Sequence, residues 1–147
     1  MTTIYRVEAT ITAPINNTEV GDRVADAMEN LFPNAELDRR RGEIVATTHS
    51  LERFSELLHR QEILDTARSE FFRRQSGPYF SFSLKKQAAF QGVVNFAVGN
   101  ESELGDIDVE VRVDEPDVES YVDHVAPPTE DGRPITATDD VDAGDRR

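Results

Sequence analysis

Apolar and polar residues alternate in six short segments of the chain, and each segment is predicted to be a β-strand with one buried face. The segments are residues 4–13, the two halves of "AELDRRRGEIVATTH", "GPYFSFSLK", "GVVNFAV" and "DIDVEVRVD". Arg41-Gly42 marks a turn between the second and third segments, so these two should form a hairpin. The clearest alternation is in the last segment, where Ile107, Val109 and Val111 alternate with acidic residues.

A spacing of three to four residues between apolar positions predicts the helices. The first helix follows "PINNTE", in which Asn16 and Glu19 have the spacing of a capping box, and it ends before Pro33. A short last helix is predicted after Pro116, which can open a first helical turn.

Residues 51–75 favour a helix throughout, but their apolar face changes direction. Leu57 and Leu58 lie on one face, whereas Ile63 and Leu64 lie on a face that is rotated by more than a right angle. Two helices that meet near residues 59–61 explain this rotation. A single curved helix is the alternative, because neither glycine nor proline marks a break.

The predicted order is strand-helix-strand-strand-helix-helix-strand-strand-strand-helix. This order indicates an α+β fold with one sheet and with helices on one face of that sheet. Residues 1–126 are predicted to form this single domain. Residues 127–147 contain almost nothing apolar to bury, so they are predicted to be a disordered acidic tail.

The charge of the chain indicates its surroundings and limits its partners. The sequence has 29 acidic and 16 basic residues, and only Lys85 and Lys86 among the basic ones are lysine. This composition is typical of a cytoplasm rich in potassium ions, such as that of a salt-loving archaeon; an acidic protein of a mesophile is the alternative. Residues 1–100 carry 13 acidic and 12 basic residues, whereas residues 101–147 carry 16 and 4. An anion-binding surface should therefore lie in the first hundred residues.

The sequence gives no support for catalytic or metal chemistry. It has no cysteine, and His49, His59 and His124 are too far apart for a metal-binding motif. It contains no serine nucleophile elbow and no glycine-rich phosphate loop. We therefore expect a protein that is not an enzyme and has no cofactor or bound metal.

The sequence also carries no signal peptide and no apolar run long enough for a membrane span. A cytoplasmic location and the absence of a membrane partner are expected.

The segment "KKQAAFQG" is the first candidate for a binding site. Lys85, Lys86 and Gln87 would present two cations and an amide to phosphate oxygens, without selecting a base. The structural alternative is that Ala88, Ala89 and Phe90 form a tight turn that closes the end of the core.

Arginines elsewhere are further candidates for phosphate contacts. The hairpin tip carries Arg39, Arg40 and Arg41. The helical region carries Arg60, Gln61, Arg68, Arg73 and Arg74. The alternative is that the helical arginines are solvated or paired with carboxylates one turn away.

The open face of the predicted sheet is polar and lacks the exposed aromatic residues on which RNA bases stack. Its predicted residues are Arg6, Thr10, Thr12, Ser81, Ser83, Lys85 and Asn95. Base stacking on the sheet is therefore disfavoured, and sequence readout of DNA is not expected.

Four segments together resemble a small uncharacterised archaeal family of predicted RNA-binding proteins, also described as proteins of the dephospho-CoA kinase operon. The segments are "LERFSELLHRQEILDTARS", "KKQAAFQGVVNF", "ELGDIDVEV" and "YVDHVAPPT". The resemblance spans about residues 4–129, and it implies a fold remotely like that of the large-subunit ribosomal protein that binds the smallest ribosomal RNA. It also implies that eight residues of the second segment belong to the family pattern: Lys86, Gln87, Ala88, Ala89, Phe90, Gly92, Asn95 and Phe96.

The leading hypothesis is a non-enzymatic protein that binds structured RNA or associates with ribosomes. The residues expected to contact RNA are Arg39, Arg40, Arg41, Arg60, Gln61, Arg68, Lys85, Lys86 and Gln87. The alternative is a homodimeric interaction module that pairs through the face or the edge of its sheet. An enzyme of coenzyme A metabolism is the least supported hypothesis, because only the operon description suggests it.

Overall fold

The alternating segments form a five-stranded antiparallel sheet in the computed structural model, which describes residues 4–98, 105–130 and 133–134. The strands of the sheet are β1 (Arg6–Pro14), β2 (Glu36–Arg40), β3 (Glu43–Thr48), β4 (Tyr79–Lys85) and β5 (Asp106–Glu115). The helices are α1 (Gly21–Leu31), α2 (Glu52–Arg60), α3 (Leu64–Arg73), α4 (Lys86–Phe90) and α5 (Val118–Val125). None of the helices in these ranges is both long and apolar enough to cross a membrane.

The strands follow the order β2-β3-β1-β5-β4, with β1 at the centre. Ile11 of β1 lies opposite Ala46 of β3 on one side and Val109 of β5 on the other. Val109 in turn lies opposite Phe82 of β4. These four side chains are almost completely buried and form one apolar row across the sheet.

The core lies between this face of the sheet and the helices, as the sequence predicts. The ring of Phe54 on α2 packs 5.2 Å from that of Phe82, and Phe71 on α3 packs 4.9 Å from Phe82. Aromatic pairs at these distances add to the stabilisation from apolar burial. The fold class and the one-sided covering of the sheet are therefore confirmed.

The change of apolar face between residues 51 and 75 corresponds to two helices. The N–H of Ile63 donates to the carbonyl of Leu58, and the N–H of Glu62 donates to that of His59. This pair of bonds is a Schellman motif, which ends a helix with a residue of positive φ. Glu62 holds that position with φ of 58°. The first of the two helices therefore ends without a glycine. The absence of glycine was the reason for considering a single curved helix.

Two sequence predictions around residue 90 are wrong. The segment "KQAAF" is a short helix, α4, rather than a tight turn, and residues 92–98 are not a strand of the sheet. Residues 93–97 instead run beside the end of β4. The N–H of Lys85 donates to the carbonyl of Asn95, and the N–H of Ala97 donates to that of Ser83. Gly92, with φ of 74°, turns the chain back beside β4 after α4.

The first residues of the predicted tail, from residue 127, have contacts in the structure. Pro127 is buried, and Thr129 donates to the carboxylate of Asp65 on α3. Beyond them, β6 (Thr129–Glu130) pairs with β7 (Arg133–Pro134). The remainder of the predicted tail, residues 131–132 and 135–147, lies outside the described residues.

The capping box forms only in part. Oε1 of Glu19 accepts from the N–H of Asn16 at 2.9 Å, as the box requires. However, α1 begins five residues after Asn16, and its N-cap residue, Val20, makes no side-chain cap. The Asn16–Glu19 bond therefore closes the turn before the helix, and it fixes Glu19 where it meets Lys86.

Candidate nucleic-acid interface

Lys86 is completely buried, so it does not present its charge to a phosphate as the sequence suggested. Its Nζ donates to Oε1 of Glu19 at 2.9 Å and to the carbonyl oxygen of Pro14. The side chain of Glu19 is only 6% exposed. A buried ammonium requires such partners, because an unpaired charge in a core is strongly destabilising. Lys86 thus joins the end of β1, the turn before α1 and the start of α4.

Gln61 and Arg68 also have structural contacts that were not predicted. The side-chain amide of Gln61 donates to the carbonyl of Val94 at 2.8 Å and accepts from its N–H at 2.9 Å. It pairs with Val94 as a neighbouring strand would. The guanidinium of Arg68 binds Asp123 at 2.7 Å and the carbonyl of Ala126 at 2.9 Å. We therefore remove Gln61, Arg68 and Lys86 from the candidate RNA contacts.

The three arginines of the hairpin tip differ in their contacts. Arg39 forms an ion pair with Asp22 on α1, and Arg40 forms one with Asp38 of its own strand at 3.0 Å. Arg41 is exposed and, among the described residues, makes no ion pair or side-chain hydrogen bond. The tip lies beside β1 and β3, on the opposite edge of the sheet from β4. The structure therefore separates Arg39, Arg40 and Arg41 from Lys85.

The open face of the sheet is acidic. Its alternating positions carry the carboxylates of Glu8, Glu36, Asp38, Glu43, Asp106, Asp108, Glu110 and Asp114. Its cations are Arg6, Arg40, Lys85 and Arg112. The hydrogen bond and charge of Asp114, with a smaller effect of Glu8, raise the pKa of Arg112. Most of the positive charge on this face is therefore paired, and the face repels nucleic acid.

One part of the chain contains no carboxylate, a signal that the sequence analysis missed. Residues 71–100 include Arg73, Arg74, Lys85 and Lys86 but no aspartate or glutamate, in a chain with 29 acidic residues. The described part of this stretch comprises the end of α3, β4, α4 and residues 91–98. Carboxylates are absent from this stretch of the chain but not from the strand beside it, because Asp106 of β5 lies opposite Lys85 and Asp108 accepts from Ser83 at 2.7 Å.

Exposed and buried side chains alternate in the "KKQAAFQGVVNF" segment. The buried set holds the segment in the fold and consists of Lys86, Ala89, Val94 and Phe96. The exposed set consists of Lys85, Gln87, Gln91, Val93 and Asn95. Gln87 and Gln91 are four residues apart on one helical face, and Asn95 is bonded through its backbone to Lys85. The exposed set thus presents one cation and three amides.

Two arginines extend this surface. Arg74 follows α3 and donates to the hydroxyl of Ser83 at 3.3 Å. Arg60 is exposed and precedes Gln61, whose amide binds Val94. Neither arginine has an ion pair with the residues that the structure describes. We call Arg60, Arg74, Lys85, Gln87, Gln91 and Asn95 the acid-free edge.

A cleft of about 690 Å³ lies between α2 and α5 and includes Arg60 in its lining. His59, Tyr121 and His124 also line it.

Phe90 was expected to close the core, but it is only partly buried and packs under the guanidinium of Arg23, 5.5 Å from the ring centre. Over the residues that the structure describes, no three side chains group as metal ligands do.

Comparison with known proteins places these features in a family. A family model described as RNA binding matches residues 8–113. A UPF0201 protein of Methanopyrus kandleri is 42% identical over 139 residues, covering 85% of this chain and 87% of that protein. A UPF0200/UPF0201 protein of Archaeoglobus fulgidus is 40% identical over 134 residues, and this chain spans only 41% of its length.

A solved structure supports the same relationship. The crystal structure of a UPF0201 protein from Methanococcus jannaschii superposes with a TM-score of 0.82 at 35% sequence identity. The superposition covers 88% of this chain and 99% of that one. The agreement extends over nearly the whole α+β fold.

Proposed function

Because this chain belongs to the archaeal UPF0201 family and to the family described as RNA binding, we propose that it is a non-enzymatic protein that binds structured RNA through its acid-free edge. The observation that carries this proposal is the exposed half of "KKQAAFQGVVNF". In a chain of net charge -13, this surface offers a cation and amides with no carboxylate among residues 71–100.

Each side-chain type of the acid-free edge has a role in this proposal. Arg60, Arg74 and Lys85 bind phosphates, which position the protein without reading sequence. Gln87, Gln91 and Asn95 can both donate and accept, so they suit 2′-hydroxyl groups and the edges of unpaired bases. The buried ion pair of Lys86 with Glu19 supports these contacts from below by fixing α4.

Amides matter especially if the protein works in a salt-rich cytoplasm, as its composition suggests. Binding that depends on counterion release weakens steeply as salt rises. Hydrogen bonds from amides depend less on salt, because no counterion is displaced. An edge with three cations and three amides is consistent with binding under such conditions.

Cross-linking tests this proposal directly. The protein is irradiated with ultraviolet light in a cell extract, and the peptides that carry a nucleotide are identified by mass spectrometry. We expect modified peptides from residues 74–95. Cross-links confined to the β2–β3 hairpin or to the open sheet face would contradict the proposed surface, and the absence of any cross-linked RNA would contradict the function.

Association with the ribosome is a finer form of the same proposal, and it rests on the resemblance to a ribosomal protein. Sedimentation of an extract through a sucrose gradient tests it. We expect the protein to travel with the large subunit. Its recovery only in the light fractions would limit the proposal to free RNA.

A second candidate function is self-association along β2, the edge strand that, among the described residues, has no neighbour on its outer side. Antiparallel pairing of two copies about Asp38 would place Glu36 of each copy opposite Arg40 of the other. The two Asp38 carboxylates would meet at the axis, each already paired with its own Arg40. Light scattering should then show a dimer that Glu36→Arg weakens and that Glu36→Arg with Arg40→Glu restores.

A further inference from the structure

Specific contacts join the two helices, α2 and α5, that form the walls of the cleft. The hydroxyl of Ser55 donates to the carbonyl of Val125 at 2.6 Å, and the backbone of Leu51 makes a hydrogen bond with Tyr121. The helices therefore run side by side in the same direction, with residue 51 level with residue 121. This arrangement fixes the walls of a cleft of about 690 Å³.

An aromatic platform forms the α5 side of this cleft. The ring of His124 stacks on that of Tyr5 with centroids 4.4 Å apart and planes 25° apart. Tyr121 packs against both rings, at 5.5 Å from Tyr5 and 6.0 Å from His124. Tyr5 and Tyr121 are largely buried, but His124 is exposed and lines the cleft. The platform therefore presents an imidazole face that is supported from behind.

Polar groups mark the two ends of the cleft. Arg60 lies at the end of α2, about 7.5 Å of helix rise beyond Ser55 and hence beyond the platform. His59 donates from Nδ1 to the carbonyl of Ser55 at 2.9 Å. Glu52 lies at the other end, at the start of α2. The helix dipole accounts for His59 and Arg60 in the last turn of α2. It does not account for the exposed ring of His124 that stacks on Tyr5.

Arg60 belongs both to this cleft and to the acid-free edge. A strand of RNA along the edge would bring a phosphate to Arg60, which lines the same cleft as the ring of His124. A planar base can stack on this ring, since histidine is one of the side chains on which unpaired bases stack.

We infer that the α2–α5 cleft receives one unpaired base of the bound RNA, which stacks on His124 while its phosphate binds Arg60. This inference rests on the proposed function and adds the site for a single flipped-out nucleotide. The base in the cleft does not contact Lys85, Gln87 or Asn95, which bind other parts of the RNA from the acid-free edge. Glu56, the other carboxylate beside the stacking site, is paired with Arg53 at 3.1 Å and does not repel the phosphate strongly.

Two labelled RNA hairpins that differ at one loop position test the inference. One hairpin carries 2-aminopurine at that position, and the other carries an abasic site. The chain contains no tryptophan, so 2-aminopurine fluorescence can be read without interference. We expect quenching on binding and an affinity about tenfold higher for the hairpin with the base, because stacking on an aromatic side chain stabilises an unpaired base.

Variants separate the cleft from the edge. His124→Ala should reduce the affinity ratio of the two hairpins to about one and leave the binding of the abasic hairpin unchanged. His49→Ala, an exposed histidine outside the cleft, is the matched control and should preserve the ratio. Equal affinities in the wild-type protein, or an equal loss for both hairpins in His124→Ala, would overturn the inference alone. If neither hairpin binds the wild-type protein, the proposed function fails with it.

Discussion

Nζ of Lys86 lies 2.9 Å from Oε1 of Glu19, and both side chains are buried. The second carboxylate oxygen of Glu19, Oε2, is buried and has no hydrogen-bond partner among the residues that the structure describes. Burying the two charges carries two large desolvation costs, and the attraction between them offsets these costs. The carboxylate has few other partners, such as the N–H of Asn16. Of the two lysines in the chain, Lys86 therefore has a structural role, whereas its neighbour Lys85 is exposed.

Removing one member of this pair should destabilise the protein strongly. Lys86→Met keeps the volume of the side chain but leaves the Glu19 carboxylate buried without a cation, so we expect a loss of about 3–5 kcal/mol in the free energy of unfolding. The double variant Lys86→Met with Glu19→Gln should recover most of this loss, because no buried charge remains. Urea denaturation of the two variants measures the difference. Equal stabilities of Lys86→Met and wild type would show that the ion pair is not a buried charge pair in solution.

The left-handed backbone of Glu62 predicts a stabilising substitution. A non-glycine residue at positive φ costs about 1–2 kcal/mol, and glycine loses up to about 1 kcal/mol through the greater entropy of the unfolded chain. Glu62→Gly should therefore raise the free energy of unfolding by up to about 1 kcal/mol. Gly92→Ala is the reverse experiment at φ of 74°, where an added Cβ meets nothing within 4 Å. It should destabilise through backbone strain alone, and a change of the same sign in both variants would contradict this explanation.

Tyr121 predicts a loss of stability in alkali. Burial raises its pKa from 10.0 to about 12, while the backbone hydrogen bond with Leu51 acts in the opposite direction. Above pH 10 the unfolded chain loses this proton and the folded chain keeps it, so stability falls as pH rises from about 10 to about 12. The shift of about two pKa units corresponds to about 2.7 kcal/mol.

The variant Tyr121→Phe isolates this effect. At neutral pH it loses about 1 kcal/mol with the hydrogen bond to Leu51. Its stability should then fall less steeply than that of the wild type over the alkaline range, as measured by urea unfolding at a series of pH values. Parallel curves for the two proteins would show that Tyr121 titrates normally.

The sequence predicted the elements whose residues alternate strictly. Strands such as β1 and β5 have one buried face, and a shift by one residue would expose every apolar side chain. The division of residues 51–75 into two helices was also predicted, because the apolar face rotates between Leu58 and Ile63. The order of the strands was not predictable, since alternation specifies a face but not a neighbour.

The candidate site was predicted less well, because a basic residue has the same local pattern whether it binds a ligand or a buried partner. Lys86 differs from Lys85 only through Glu19, which is 67 residues away in the sequence. Gln61 and Arg68 are likewise occupied by Val94 and Asp123, distant positions that no local pattern reveals. The absence of carboxylates from residues 71–100 was visible in the sequence and would have identified the edge.

The salt dependence of RNA binding distinguishes the acid-free edge from the wider set of cations expected from the sequence. Three phosphate contacts, by Arg60, Arg74 and Lys85, predict a slope of about -2 in a plot of log affinity against log salt concentration for single-stranded RNA. The seven cations of the sequence-based set predict a slope of about -5. Titrations in potassium chloride between about 0.1 M and about 1 M measure it. A slope near the larger value would mean that cations outside the acid-free edge, such as Arg39, Arg40 and Arg41, also contact RNA.

The affinity of a paired amide variant for structured RNA tests the central claim most directly. The double variant Gln87→Ala with Asn95→Ala removes two exposed amides from the acid-free edge, and Asn17→Ala with Asn34→Ala removes two exposed amides elsewhere. Fluorescence anisotropy with labelled transfer RNA and the smallest ribosomal RNA gives the dissociation constants. We expect the first variant to bind the RNA that the wild type binds at least about fivefold more weakly, since two lost hydrogen bonds cost about 1–3 kcal/mol. The control should bind like the wild type, and both variants should unfold at the wild-type temperature. Equal affinities for the wild type and the Gln87→Ala, Asn95→Ala variant would contradict the proposed RNA-binding surface.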